Sequence, residues 1–181
     1  MNLNQTAHHA EILKQLQAPL KARYREDARA AQWVLKASGR VRQSALTCDV
    51  PTHAGNAPAG LHPAAGGDGT LACSGDMLLE ALAGCAGVTL AAVATALGIT
   101  LRDAAVRAEG DLDFRGTLGV DKGAPVGFSA IRLHFDIDAD AQPADLERLV
   151  AMTERYCVVL QTLAKGVPVT AALNAPQTTA A

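Results

Sequence analysis

SGDMLLEALAGCAGVTLAAVATALGITL, residues 74–101, decides how this chain is read. Residues 81–101 carry no charged side chain, and by length such a run could cross a bilayer, for which about 20 apolar residues suffice. Against a membrane, much of the run is Ala, Gly and Thr. No Trp or Tyr marks its ends, no Lys/Arg cluster flanks it, and Asp76 and Glu80 lie just before it. The stretch is therefore read as a buried helix. Ser74 can cap it, Asp76 sits in the first turn where a negative charge suits the helix dipole, and Gly98 ends it. Met77, Leu78, Leu79, Leu82, Val88, Leu90, Val93 and Leu97 cover nearly every face. A helix apolar all round predicts burial on all sides, by sheet or by a partner subunit.

Downstream, Val106, Ala108, Leu112 and Phe114 alternate with charged residues over 105–114. Ile131, Leu133, Phe135 and Ile137 do the same over 128–138. This period of two marks two strands, each with one wet face; His134 falls on the polar side and reads as a solvated residue. Pro143 opens a last helix whose stripe of Leu146, Leu149, Val150, Thr153, Cys157 and Leu160 runs to Gly166, and residues 167–173 can form a closing strand. Upstream, 32–38 and 45–51 read as strands joined by a turn at Gly39-Arg40, followed by a loop over 52–70 without periodicity. Residues 2–29 read as a helical arm that Pro19 should break near Gln17, and its basic stretch KARYR reads as a solvated face. The organisation expected is an arm at 1–31, an α+β domain with antiparallel strands at 32–174, and a frayed tail at 175–181.

Composition sets the limits. A chain of 181 residues with 49% hydrophobic and 3% aromatic content is not disordered, and its core must be packed with small side chains. Such cores gain buried surface by oligomerising. A formal net charge of −2 gives no electrostatic case for nucleic acid. The start, MNLNQTAHHAEILKQLQ, is polar and mixed in charge, unlike a secretory signal, so a reducing, cytoplasmic setting is expected for Cys48, Cys73, Cys85 and Cys157. No C-x-x-C pair or zinc-finger spacing occurs, so neither a permanent disulfide nor a metal or other cofactor is expected.

The thiols carry the remaining question. Cys85 and Cys157 lie on or beside apolar helical faces, where a free Cys is most simply a small buried hydrophobe. If residues 74 onward are helical, Cys73 and Cys85 lie roughly 15–18 Å apart, beyond disulfide range. Cys85 and Cys157 are on different helices, and the fold could bring them together.

SGDMLLEALAGCAGVTL (74–90) followed by ERYCVVLQTL (154–163) resembles the OsmC/Ohr family, the osmotically inducible protein C and organic hydroperoxide resistance proteins, over residues 32–173. The resemblance implies an antiparallel sheet wrapped around a long central buried helix in an intertwined homodimer. It also implies a thiol-dependent peroxidase in which Cys85 attacks the peroxide and Cys157 resolves it. Gly39-Arg40 resembles the family's Gly-Arg turn, so Arg40, with Arg42 close by, is the implied activating arginine, and Asp76 the carboxylate that orients it. The sequence departs from the family's common pattern at Gly75, where a Glu is usual, and at Val158, where a Pro often follows the second Cys.

The implied chemistry is coherent. A thiolate attacks the O–O bond and leaves a sulfenic acid, which a second thiol condenses to a disulfide. A free Cys has a pKa of about 8.5, so a nearby cation is needed, and Cys85 lies too deep in its own helix to use that helix's N-terminus. The apolar surroundings suit an organic hydroperoxide, and the resemblance implies an external dithiol reductant such as a lipoyl-bearing protein. Two other readings stand beside this one: a non-catalytic dimeric module that binds an apolar ligand, and a redox sensor or metal site that also uses Cys48 or Cys73.

Overall fold

The structure, a computed structural model, describes residues 3–174, so the expected tail at 175–181 lies outside the described residues. Helix α1, Leu3–Glu26, runs without interruption through Pro19, where a break was expected. Proline removes one backbone donor and crowds the preceding turn. Here the helix tolerates it among exposed residues. Thr6 fastens α1 to the body by a side-chain hydrogen bond of 2.8 Å to Thr100. A short 3-10 turn, Ala28–Ala31, capped by Asp27, ends the arm.

The N-terminal sheet corrects two expectations. Residues 32–38 do not form a strand: Trp33, Val34 and Leu35 are exposed and unpaired in any ladder, and pairing begins only at β1, Arg40–Arg42. The turn follows β1 at Gln43–Ala45 and closes with Leu46 in the left-handed region (φ 53°). Strand β2, Thr47–Thr52, then pairs antiparallel with β3, Gly55–Ala59, inside the stretch expected to be structureless. Thr52 makes that hairpin: its hydroxyl donates to the Gly55 carbonyl at 2.7 Å and accepts from the Ala54 N–H at 3.2 Å. A single parallel bridge, Ala59 with Ala72, joins this sheet to the next element.

Helix α2, Ser74–Leu97, has the expected bounds. Its cap is Cys73 rather than Ser74: the Asp76 N–H donates to Cys73 Sγ (3.5 Å), and the Cys73 N–H donates to the Asp76 carboxylate (3.3 Å). Gly98, at φ 71°, ends the helix in the left-handed conformation that glycine adopts at least cost. The helix is long and apolar enough to cross a membrane, yet it packs along β4, α4 and α5. It is not buried on all sides within the chain. Leu82, Ala86, Leu90, Val93 and Ala94 are buried, whereas Val88 is 75% exposed.

β4, Leu101–Leu112, and β5, Phe128–Ala139, form one antiparallel ladder. Their charged face carries cross-strand pairs of Arg107 with Asp136 (3.0 Å), Arg132 with Asp111 (2.6 Å), and Arg102 with Asp138. His134 belongs to this face and lies 3.7 Å from Glu109. The apolar face packs on α2. Gly110 leaves room for the Phe128 ring, which would lie 2.5 Å from any Cβ placed there. The connection between the strands contains a short helix, α3, Phe114–Thr117.

The last helix is broken rather than continuous. α4, Pro143–Tyr156, stops at Cys157, which adopts φ −72° and ψ 108°, and α5, Val158–Lys165, restarts immediately. Residues 167–173 make no strand within the chain, and Val169 and Leu173 are almost fully exposed. The apolar core thus has two parts along α2. Leu90, Val93, Ala94 and Leu149 form one, and Leu82, Ala86 and Cys157 form the other.

Candidate functional site

The second part of the core is the thiol site. Cys85 lies midway along α2, half-buried, and Cys157 is fully buried at the α4–α5 break. The two side chains are in contact, so the fold joins helices that the sequence keeps far apart. Cys157 belongs to both ends of the break: its N–H donates to the Thr153 carbonyl and its carbonyl accepts from the Gln161 N–H, each at 2.9 Å. The Gln161 side chain reaches back to the Glu154 carbonyl (2.9 Å), satisfying an acceptor that the interrupted α4 would leave open. Thr153 and Thr89 back-bond to the carbonyls of Leu149 (2.8 Å) and Cys85 (2.7 Å).

The two thiols are pushed in opposite directions. Burial opposes ionisation of Cys85, but the Val159 amide, the Cys157 thiol, the Val158 amide and the Thr89 hydroxyl together outweigh it, and its pKa falls below the ordinary value. Burial raises Cys157, the Leu160 and Val159 amides oppose that, and negative charge on Cys85 adds to the rise. One sulfur is thus prepared to ionise first, while its neighbour stays protonated beside it.

The other residues expected at the site stand elsewhere within the chain. Arg42, on β1, is ion-paired with Asp49, whose carboxylate also accepts from Asn56 at 3.4 Å. Those bonds, Arg42 first and then Asn56, hold the Asp49 carboxyl below its usual range. Arg40 lines the same cleft as Arg42, Asp49 and Asn56. Asp76 is committed to the Cys73 cap and orients no arginine among the described residues. Cys48 packs beneath Gly39, where a Cβ would stand 2.6 Å from its sulfur. The donors that face Cys85 within the chain, the Val159 and Val158 amides, were missed in the sequence. No Gly or Pro announces the break at Cys157. The adjoining Val158-Val159 pair is only a weak signal, as β-branched residues mildly disfavour helix.

A cavity of about 330 Å³ adjoins the thiol cluster, between α2, β5 and α5. Leu82, Ile131, Leu133 and Leu160 line it and also pack around the thiols, and Phe128 and Leu163 complete its walls. Its size is at the lower end for small-molecule sites. Half-buried Cys85, buried Cys157 and the apolar cavity therefore form one continuous neighbourhood.

Solved structures share this fold. An OsmC-like protein from Mycoplasma pneumoniae superposes with a TM-score of 0.61 at 18% identity, over 75% of this chain and 90% of that one. A Legionella pneumophila organic hydroperoxide resistance protein OsmC, described as a predicted redox protein, gives 0.57 at 19% identity over 73% and 91%. The Bacillus subtilis organic hydroperoxide resistance protein OhrB gives 0.52 at 18% identity over 74% and 93%. At these identities the likeness is one of fold. No curated protein matches the sequence. The family profile described as OsmC-like protein matches residues 67–172, more than half of the chain, and includes both Cys85 and Cys157: the chain belongs to the OsmC-like family.

Proposed function

We propose that the protein is a thiol-dependent peroxidase that reduces organic hydroperoxides. The observation that carries this reading is the contact between half-buried Cys85, inclined to ionise, and fully buried Cys157, inclined not to. The Cys85 thiolate attacks one peroxide oxygen. The O–O bond breaks, the other oxygen leaves as alkoxide and takes a proton to become the alcohol, and Cys85 becomes a sulfenic acid. That acid is neutral, so the negative charge that held Cys157 protonated is gone. Cys157 can then lose its proton and attack the Cys85 sulfur; water leaves and a disulfide forms. An external dithiol, such as a lipoyl-bearing protein, returns both thiols and is itself oxidised to a disulfide.

Arg40 and Arg42 lie away from Cys85 in their own chain. Under this reading they act across an intertwined homodimer, in which β1–β3 of one protomer covers the partner's thiol site. A cytoplasmic location, which keeps the thiols reduced between turnovers, belongs to the same reading. The test is consumption of cumene hydroperoxide with dihydrolipoamide as reductant. Wild type should turn over, lose two thiols per chain with one equivalent of peroxide, and yield a Cys85–Cys157 cross-linked peptide. Cys157→Ser should react once and leave a sulfenic acid that a dimedone-type reagent traps. A cross-link to Cys48 or Cys73 would overturn the assigned pair. The apolar cavity favours one other reading, a non-catalytic ligand-binding module, and loss of no thiols on peroxide treatment would support it.

A further inference from the structure

We propose that the first backbone amides of α5, those of Val158 and Val159, hold the Cys85 thiolate from within its own chain. The inference rests on the reading of Cys85 as the attacking thiol and identifies what makes it reactive. Because the chain breaks at Cys157, α5 begins a new set of hydrogen bonds there, and the first closing bond is that of the Gln161 N–H to the Cys157 carbonyl. The N–H groups of Val158, Val159 and Leu160 precede it and have no acceptor inside α5. Such a helix start carries partial positive charge and aligned donors, an arrangement that suits an anion.

The anion is identified by what touches this end. Cys85, Val159 and Leu160 all pack around the core that Cys157 forms with Leu82 and Ala86, and the Val158 and Val159 amides face the Cys85 sulfur. From β4 and β5 the residues packed around the pair are Val106, Ala108, Ile131, Leu133 and Phe135, none of which titrates. Cys157 is the one titratable side chain among Cys85's principal neighbours, and it shares the amides, Val159 acting on both sulfurs. Cys85 cannot use the start of its own helix, but a second helix starts beside it. A continuous helix through Cys157 would have spent these amides on carbonyls one turn earlier. The break therefore creates the donors.

Val158→Pro tests this directly. Proline lacks the N–H, is well accommodated at the first position of a helix, and requires an extended residue before it, which Cys157 with ψ 108° already is. Val158→Ala keeps the N–H and removes only a side chain that is 68% exposed. The readout is the alkylation rate of Cys85 against pH in the full-length reduced protein, resolved from the other thiols by peptide mass mapping. The midpoint should rise by roughly one unit in Val158→Pro, about a tenfold loss of thiolate at a fixed pH below it, and stay in place in Val158→Ala. An unmoved midpoint in Val158→Pro, or equal shifts in both variants, would overturn the proposal. Alkylation does not depend on peroxide turnover. A shifted midpoint with no peroxidase activity would leave this assignment standing and sink the proposed function; turnover with an unmoved midpoint would do the reverse.

Discussion

The N-terminal sheet and the C-terminal body of this protein differ in what they bury. In the body, Leu82, Ala86, Leu90, Leu149 and Cys157 are each at most 2% exposed, and α2, β4, β5, α4 and α5 close around them. In the sheet, no residue of β1, β2 or β3 is buried, and Val41 is 77% exposed. The body also holds Cys85 and Cys157, while the sheet holds Arg40 and Arg42. One half has a packed core of its own. The other is a hydrogen-bonded sheet without a core, and such a sheet needs a surface to lie on. The single chain also leaves apolar surface without cover, at Val88 on α2 and Val169 and Leu173 beyond α5. Uncovered apolar groups on a sheet and on a body of the same molecule are what an exchange between two protomers would satisfy.

The largest effect should come from the chemistry of the body. Cys85→Ser is expected to abolish peroxide consumption altogether, whereas Arg40→Ala or Arg42→Ala should slow it by roughly ten- to a hundredfold, the size of effect an opposite charge has on ionisation. If neither arginine substitution changes the rate, the sheet has no part in the site. The next contrast is in stability. Leu149→Ala, at a fully buried position in the body, should cost about 2–5 kcal/mol in urea unfolding.

Trp33 sharpens the comparison. It is 78% exposed in the single chain, so truncation should be nearly silent there. In the proposed homodimer, Trp33→Ala should instead cost about 1–3 kcal/mol, and the unfolding midpoint should rise with protein concentration. A silent substitution with a concentration-independent midpoint would mean that the sheet stays uncovered. The smallest effect concerns pH. Since Cys85 sits below the ordinary thiol value of about 8.5, its reaction rate with peroxide should hold as pH falls past that value and decline only at lower pH. Thr89→Val, which removes the weakest of the main groups favouring the thiolate, should move that decline slightly upward in a stopped-flow pH series.

What the sequence showed and what it hid divide along the same line. Helix α2 was legible at both ends, because the uncharged run that starts after Glu80 and meets Gly98 has one local solution. The β4–β5 hairpin was legible too, because alternation such as Ile131, Leu133, Phe135 and Ile137 has a period that only a half-wet strand satisfies. The N-terminal strands were displaced, since Trp33-Val34-Leu35 is apolar enough for a strand but pairs with nothing in its own chain. Local pattern reports the tendency to extend. It does not report which edge is available.

The site divides in the same way. That two thiols stand on apolar helical surfaces in contexts of the OsmC/Ohr kind is legible in the chain alone, because side-chain chemistry and its spacing are written residue by residue. The meeting of Cys85 with Cys157, and the end of α4 where α5 begins, come from packing. It also turned Asp76 into the partner of a Cys73 cap and set Arg42 on Asp49. The physical reason is that backbone amides are common to every residue. Whether the N–H of Val158 bonds a carbonyl one turn back or faces a sulfur on another helix depends on where the chain breaks, and packing determines that.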